Sequence, residues 1–215
     1  MRPETGRPSK YKNISLKDTN YLITRRQMAQ AKTLTARELK QVLGFVAQQR
    51  HAVRNRAMLL CLHLAGMRVG EVAALKRGDV VLENGTIAEE VRLTAEQTKG
   101  RHPRTVYLPE RLRKELAVYA ATRTSTSPTM PFFYTQKRAG FSANTLCQYF
   151  FFLYRTSGIL GASSHSGRRS FLTNLSEQGV AARVLQALAG HRSLATTQKY
   201  IDVNPAMLRR AVELV

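Results

Sequence analysis

The stretch HSGRRSFLTNLSEQGVAARVLQALAGHRSLATTQKY, residues 165–200, holds two histidines, two adjacent arginines and a tyrosine among apolar residues at helical spacing. His165 and Arg168 are three positions apart, so they would share one face of a helix. Gly190 suits the left-handed position just past the end of a second helix. His191 follows it directly and would therefore stand at a fixed exit point.

A third short helix is predicted after this exit. Ser193 can cap it, and Tyr200 would lie two turns along it. Leu172 and Leu175 continue the first helical face inward, which would anchor the polar groups at the rim of a core. The stretch can thus bring together two imidazoles, a guanidinium and a phenol.

Size and charge limit the possible functions. The 215 residues allow one sizeable core with a tail or a small second unit. With 34 Lys and Arg against 14 Asp and Glu, the net charge of +20 favours nucleic acid as a partner, although ribosome-associated and membrane-surface proteins are also basic. Cys61 and Cys147 indicate buried thiols in a reducing compartment, and no apolar run predicts a membrane span. A cytoplasmic protein is expected.

The two ends of the chain differ from its middle. Residues 1–32 carry eight basic side chains against two acidic ones and should form a basic, partly flexible arm. That arm is either a solvated tail or a segment that follows DNA. The folded domain is expected over residues 33–203, and a last amphipathic helix over residues 204–215.

The middle of the chain predicts a mainly α fold with a small antiparallel β-sheet (α+β). A capping box at Thr35–Glu38 begins one helix, and the apolar segment Val53–Ala65 predicts a central one. Further helices are expected at 109–122 and 143–154, and the aromatic residues of the latter are assigned to the core rather than to a base-stacking platform. Short strands are predicted at Asp79–Leu82, Val91–Leu93 and Thr105–Leu108, with a hairpin turn at Asn84–Gly85.

Two more basic residues stand at tight turns. Arg68 lies between two helical segments, where an ion pair with Glu71 three positions later is the simplest interpretation. Lys99 lies in a basic turn between two predicted strands, where a lysine is usually just solvated. The residues alone leave both roles open.

Together these motifs resemble the tyrosine recombinase (phage integrase) family. Its signature is a His-x-x-Arg pair, a Gly-His pair about two dozen residues later, and a tyrosine nine residues after that histidine. Arg68 matches the family's Gly-x-Arg-x-x-Glu segment, and Lys99 matches a hairpin lysine. The resemblance implies that Glu71 supports the local fold. It implies six catalytic residues, namely Arg68, Lys99, His165, Arg168, His191 and the nucleophile Tyr200.

The resemblance also implies the architecture and partners. The fold would be that family's catalytic domain, in the short form without the usual N-terminal core-binding domain, and Gly167 departs from the bulky apolar residue often found there. The helix at 204–215 would pack in trans against a neighbouring subunit. Expected partners are double-stranded DNA, further copies of the chain in a tetramer on that DNA, and DNA-bending accessory proteins, with no membrane and a nucleoid location. The residues expected to contact DNA are Arg101, Arg104, Arg169, Arg192, Arg25 and Arg26.

The implied reaction cuts and rejoins DNA through a 3′-phosphotyrosyl intermediate, in integration, excision or inversion. Two guanidiniums suit the negative charge of a pentacoordinate phosphorus, and a lysine can protonate the departing oxygen. No cofactor is expected, and no spacing of the 14 acidic residues suggests a metal site.

Other functions fit part of the sequence. A type IB topoisomerase would use the same chemistry as a monomer that relaxes supercoils. A helix-turn-helix regulator could use residues 175–191 with Gly179 at the turn, but this leaves Arg68, Lys99 and the fixed gap to Tyr200 unexplained. An inactive relative would form no covalent adduct with DNA.

Overall fold

Helices make up most of the structure, a computed structural model that describes residues 30–124, 126–135, 139–201, 203 and 205–213. Residues Ala31–Val215 form one unit. Nearly all of the predicted basic arm, with Arg25 and Arg26, lies outside the described residues. In chain order the elements are α1 (Ala36–Ala47), α2 (Ala52–Leu64), α3 (Val69–Ala74), α4 (Arg77–Val80), β1 (Glu90–Leu93), β2 (Arg104–Tyr107), α5 (Glu110–Ala121), α6 (Ala143–Thr156), α7 (Ser166–Glu177), α8 (Ala182–Ala189), α9 (Leu194–Gln198) and α10 (Pro205–Val212). The mainly α fold with a small sheet is confirmed.

Helix α2 is the centre of the core, as its apolar sequence predicts. Every residue from Ala57 to His63 is buried, and the helix packs against α1, α5 and α7. The predicted capping box of α1 is also present, because the Glu38 amide donates to Thr35 Oγ1 and the Thr35 amide donates to Glu38 Oε2. In α6 the assignment of the aromatic residues to the core is confirmed for Phe150 and Tyr154, which are fully buried, but not for Phe152, which is 51% exposed.

The sheet has two antiparallel strands, β1 and β2, with Val91 opposite Val106. The predicted strand at Asp79–Leu82 was wrong, since its first half, Asp79 and Val80, belongs to α4. The Asp79 carboxylate accepts the Lys76 amide at 2.8 Å and so begins a helical turn, which overrides the alternating pattern. Only an isolated bridge between Val81 and Ile87 remains, across the predicted turn.

Helix α9 is shorter than the sequence predicts. Ser193 caps it, as expected, by accepting the Ala195 amide at 3.2 Å. The helix ends at Gln198, so Tyr200 lies in the turn that follows rather than two turns along a helix. There the Tyr200 amide donates to the carbonyl of Thr197 at 2.9 Å, a bond that closes a tighter turn than an α-helix has. No helix in the described ranges is long and apolar enough to cross a membrane.

Candidate active site

Gly167 allows α7 to lie against α2. A Cβ atom at Gly167 would come within 2.5 Å of Leu62 Cβ, closer than two side chains can approach. This contact places the next residue, Arg168, inside the protein with only 5% of its surface exposed. The close packing of α7 against α2 therefore explains why a glycine, and not a bulky apolar residue, stands at position 167.

Arg168 is held by neutral acceptors. Its Nη1 donates to the carbonyl of Gly66 at 2.7 Å, and its Nη2 donates to the carbonyl of Ala189 and to His191 Nε2, the latter at 3.1 Å. Burial lowers the pKa of Arg168 to about 9, and the charges of Arg68 and Arg104 contribute further. The guanidinium is still charged at neutral pH, without a carboxylate among these bonds.

His191 joins Arg168 to Tyr200. Because a guanidinium only donates, His191 Nε2 must accept from Arg168, so Nδ1 carries the proton and donates to Thr197 Oγ1 at 3.0 Å. The imidazole stacks on the Tyr200 ring, with centroids 5.6 Å apart and planes 22° from parallel. Burial lowers the pKa of His191 to about 4, helped by the charge of Arg168, and the ring is neutral at pH 7.

Glu71 holds two arginines on one buried carboxylate. Its side chain is 1% exposed and accepts from Arg68 Nη1 at 2.9 Å and from Arg104 Nη2 at 2.6 Å. The Arg68 amide donates to the same carboxylate at 2.7 Å. Burial alone would raise the pKa of Glu71, but the bond and charge of Arg104, followed by those of Arg68, outweigh it and lower the pKa. The carboxylate therefore stays ionised and fixes both guanidiniums.

His165 and Lys99 lie beside this cluster. His165 directly precedes the first residue of α7, and its Nδ1 is 3.4 Å from Ser164 Oγ. Burial lowers the pKa of His165, and the charges of Lys99, Arg168 and Arg68 lower it further. All three cations are therefore close enough to His165 for their fields to reach its ring. Lys99 itself is exposed, in a turn after β1.

Arg104 differs from its expected role as a DNA contact. Its side chain is 8% exposed, and besides Glu71 it binds the carbonyl of Leu188, to which Nη1 donates at 2.8 Å. Arg104 thus links β2 to α3 and α8, and its guanidinium donates its hydrogen bonds to protein groups. Sequence reasoning missed this role, because the pairing with Glu71 spans 33 residues.

Of the other predicted DNA contacts, the three that the structure describes lie nearer the surface. Arg169 lies over the Tyr200 ring at 5.6 Å, and its Nε donates to Thr33 Oγ1 at 3.2 Å. Arg101 and Arg192 are exposed. Thr197 is not among the site residues predicted from the sequence, although its hydroxyl orients the His191 ring.

The cluster carries a net positive charge, because Glu71 is the only carboxylate bonded to its three arginines among the described residues. Such a set of fixed donors suits a phosphate. Within the described part of the chain, no group of three or more His, Cys, Asp or Glu residues could hold a metal ion.

The phage integrase family model matches residues 32–207, which include all of these side chains. This chain belongs to the phage integrase family. Helices α7 and α8 are joined through Gly179, as the two helices of a helix-turn-helix would be. However, Arg168 and His191, at the outer ends of the pair, form a hydrogen bond with each other, so the two helices position residues of the cluster.

Curated relatives of the family include tyrosine recombinases from archaea and bacteria. The tyrosine recombinase XerA of Pyrococcus furiosus is 34% identical over 185 residues, which cover 85% of this chain and 61% of XerA. The tyrosine recombinase XerC of Bacillus licheniformis is 30% identical over 73% of this chain and 52% of XerC. The chain thus spans about three fifths or less of the length of these relatives.

Solved structures show the same fold. A crystal structure of XerA recombinase superposes with a TM-score of 0.67 at 26% identity, over 85% of this chain and 64% of that one. The Tn1549 transposon integrase in complex with circular intermediate DNA superposes with a TM-score of 0.65 at 18% identity, over 85% of this chain and 66% of that one. The fold class inferred from the sequence is therefore confirmed as that of tyrosine recombinase catalytic domains.

Proposed function

We propose that this chain carries the catalytic domain of a site-specific recombinase, which cuts and rejoins double-stranded DNA through a 3′-phosphotyrosyl intermediate. The observation that carries the proposal is the row of three side chains in which Arg168 bonds His191 and His191 stacks on Tyr200. The nearness of a phenol, an imidazole and a buried cation supports the assignment of Tyr200 as the nucleophile.

The scissile phosphate would bind where the cationic side chains meet. Arg168 and Arg68 would hold its non-bridging oxygens, and His165 would add a third donor. Glu71 fixes Arg68 before the phosphate arrives, so little reorganisation is needed as charge develops. Each of these electrostatic contacts would lower the barrier by about 3 to 4 kcal/mol.

His191 would become a base only when the phosphate is bound. With Arg168 donating to Nε2, the lone pair of the imidazole is occupied. A phosphate oxygen that draws the Arg168 Nη2 donors towards itself would free Nε2 to accept the proton of Tyr200. In this way substrate binding would itself activate the nucleophile.

The reaction balances without a cofactor. Tyr200 Oη forms a bond to phosphorus, the bond from phosphorus to the 5′ oxygen of the next nucleotide breaks, and Lys99 gives that oxygen a proton. The reverse reaction, with a 5′ hydroxyl from another strand, rejoins the DNA and releases the tyrosine. The phosphodiester energy is kept in the intermediate.

The partners proposed for this chain follow from the same function. Helix α10 has none of its residues buried, and Leu208 and Val212 on it are 58% and 71% exposed. We infer that this helix packs in trans against a neighbouring copy, within a tetramer on DNA that accessory proteins bend. Such an enzyme, with a charge of +20, would associate with the nucleoid.

The test is to trap the intermediate on a nicked suicide duplex that carries the protein's recombination site. The wild-type protein should give a band shifted by covalently bound DNA, and Tyr200→Phe should give none while still binding the duplex. Tyr107→Phe, which alters an exposed tyrosine on β2, is the matched control and should behave as wild type. An adduct that persists in Tyr200→Phe would refute the assigned nucleophile.

A second assay separates recombination from its alternatives. Two labelled duplexes should exchange strands, whereas a type IB topoisomerase would relax supercoiled DNA without exchange. A helix-turn-helix regulator or an inactive relative would bind DNA without forming an adduct even in the wild type.

A further inference from the structure

The N-terminal end of α2 borders a cavity of about 430 Å³. Arg68 follows the opposite, C-terminal end of the same helix. This volume lies within the range of about 300 to 1,000 Å³ that is usual for ligand sites. Tyr119 and Tyr134 form part of its wall. The basic residues that line it are Arg50, His51, Arg54 and Arg123. No acidic residue is among the described residues of the lining.

Arg54 is the partly buried cation of this cavity. Its Nη1 donates to the carbonyl of Tyr134 at 2.9 Å, and its Nε and Nη2 donate to Asn55 Oδ1 at 3.2 and 3.1 Å. The Phe141 ring covers it at 5.0 Å. All of these acceptors are neutral, so within the described ranges the charge is partly desolvated without a bonded counter-charge, which is costly unless an anion offsets it.

The catalytic cluster also contains an arginine with neutral acceptors. Arg168, which is more deeply buried than Arg54, is bonded to main-chain carbonyls and a neutral ring, and none of these bonds goes to a carboxylate. The two sites are separate, because α2 has 13 residues and a helix of that length spans about 20 Å. They share no residue.

We propose that the cavity at the N-terminal end of α2 binds a phosphate group, as a second position apart from the scissile phosphate. Guanidiniums bind phosphate in pairs of parallel hydrogen bonds, and several of them around one cavity match its multiple negative charge. The phosphate could come from the DNA backbone or from a free phosphate or nucleotide. The first source rests on the function proposed above, and the second does not.

Residues 50–54 line this cavity and lie outside the catalytic cluster. Their backbone amide signals in NMR spectra should therefore shift when the protein is titrated with inorganic pyrophosphate. Arg50→Glu should weaken this binding at least about tenfold, because it reverses a charge at an exposed position of the lining. Arg111→Glu changes the net charge equally at an exposed position outside the lining and should change the affinity less than about twofold. Arg54→Gln, checked for folding by circular dichroism, should weaken binding at least as much as Arg50→Glu.

A second arm identifies the source of the phosphate. Duplex binding is measured over a range of salt in proteins that also carry Tyr200→Phe. If a backbone phosphate occupies the cavity, Arg50→Glu should lower duplex affinity about tenfold more than Arg111→Glu and reduce the salt slope by about one. If a free phosphate occupies it, the pyrophosphate effect remains and the two variants bind the duplex equally.

Equal behaviour of Arg50→Glu and Arg111→Glu in both arms, or amides of residues 50–54 that do not respond, would overturn the proposal. Failure of the proposed recombinase function would look different. It would appear as a missing covalent adduct, on which neither pyrophosphate nor duplex binding depends.

Discussion

The two ends of helix α2 hold arginines in opposite settings. Beyond its C-terminal end, Arg68 and Arg104 share the buried carboxylate of Glu71, and α7 packs so closely that only glycine fits at position 167. At its N-terminal end, Arg54 has neutral partners and borders an open cavity. The difference is one of charge balance: at one end a carboxylate fixes two arginines before any anion binds, whereas at the other end none of the hydrogen bonds of Arg54 goes to a carboxylate.

The largest effect is expected at the C-terminal end of α2, where Glu71 provides the counter-charge for two arginines. Glu71→Gln leaves two arginines without their counter-charge, one of them buried, and should lower the free energy of unfolding by about 3 to 5 kcal/mol. Urea denaturation measures it. Glu115→Gln is the control, because Glu115 pairs with Arg56 at 2.6 Å near the surface and its loss should cost under about 1 kcal/mol. Equal losses in both variants would show that the buried carboxylate has no special role.

Close packing at the same end gives the next effect. Gly167→Ala places a methyl group within 2.5 Å of Leu62 Cβ, so α7 must shift and the protein should lose about 1 to 3 kcal/mol of stability. The shift would also move Arg168 and reduce adduct formation. Gly44→Ala, in α1, meets no atom within 4 Å and should instead stabilise by about 0.5 to 1 kcal/mol. If both substitutions stabilise, the contact between α2 and α7 is looser than described.

Much of the fold and of the catalytic cluster could be predicted from the sequence, because the motifs that define them are local. The capping box of α1, the buried α2 and the exit of His191 after Gly190 depend on residues that are close in the chain. Arg104 could not be placed, since its partners are Glu71 and the carbonyl of Leu188, far away in sequence. The cavity was missed for the same reason: residues 50–54, 119–123 and 134–135 meet only in the folded protein.

The charges of the cluster should be visible in the titration of two histidines. Burial lowers the pKa of His63 to about 4, and burial together with the charges of Arg168, Arg68 and Arg104 lowers that of His191 to about 4. Arg168→Gln should therefore raise the pKa of His191 towards 6.5 and leave that of His63 unchanged, as NMR titration would show. A pKa of His191 that stays near 4 would show that the charge of Arg168 contributes little to the shift.

The same two histidines set a pH dependence of folding. Their pKa values fall on folding, so the unfolded chain binds more protons below pH 6.5. Their contribution to stability is fully present above about pH 6.5 and is lost as the pH falls towards 4. Urea denaturation between pH 7 and 4 should show this loss, and His63→Asn or His191→Asn should each reduce its slope.

The smallest effect is expected at the N-terminal end of α2, where the hydrogen bonds of Arg54 go to neutral acceptors. Arg54→Gln removes a partly buried charge along with its bonds to Tyr134 and Asn55, so the lost hydrogen bonds and the relieved desolvation should nearly cancel. Without phosphate the free energy of unfolding should change by less than about 1 kcal/mol. Added pyrophosphate should then stabilise the wild type more than the variant, because a ligand stabilises the folded state only through the sites at which it binds. A loss as large as that of Glu71→Gln would mean that Arg54 is a structural arginine like Arg104, and the contrast between the two ends of α2 would fail.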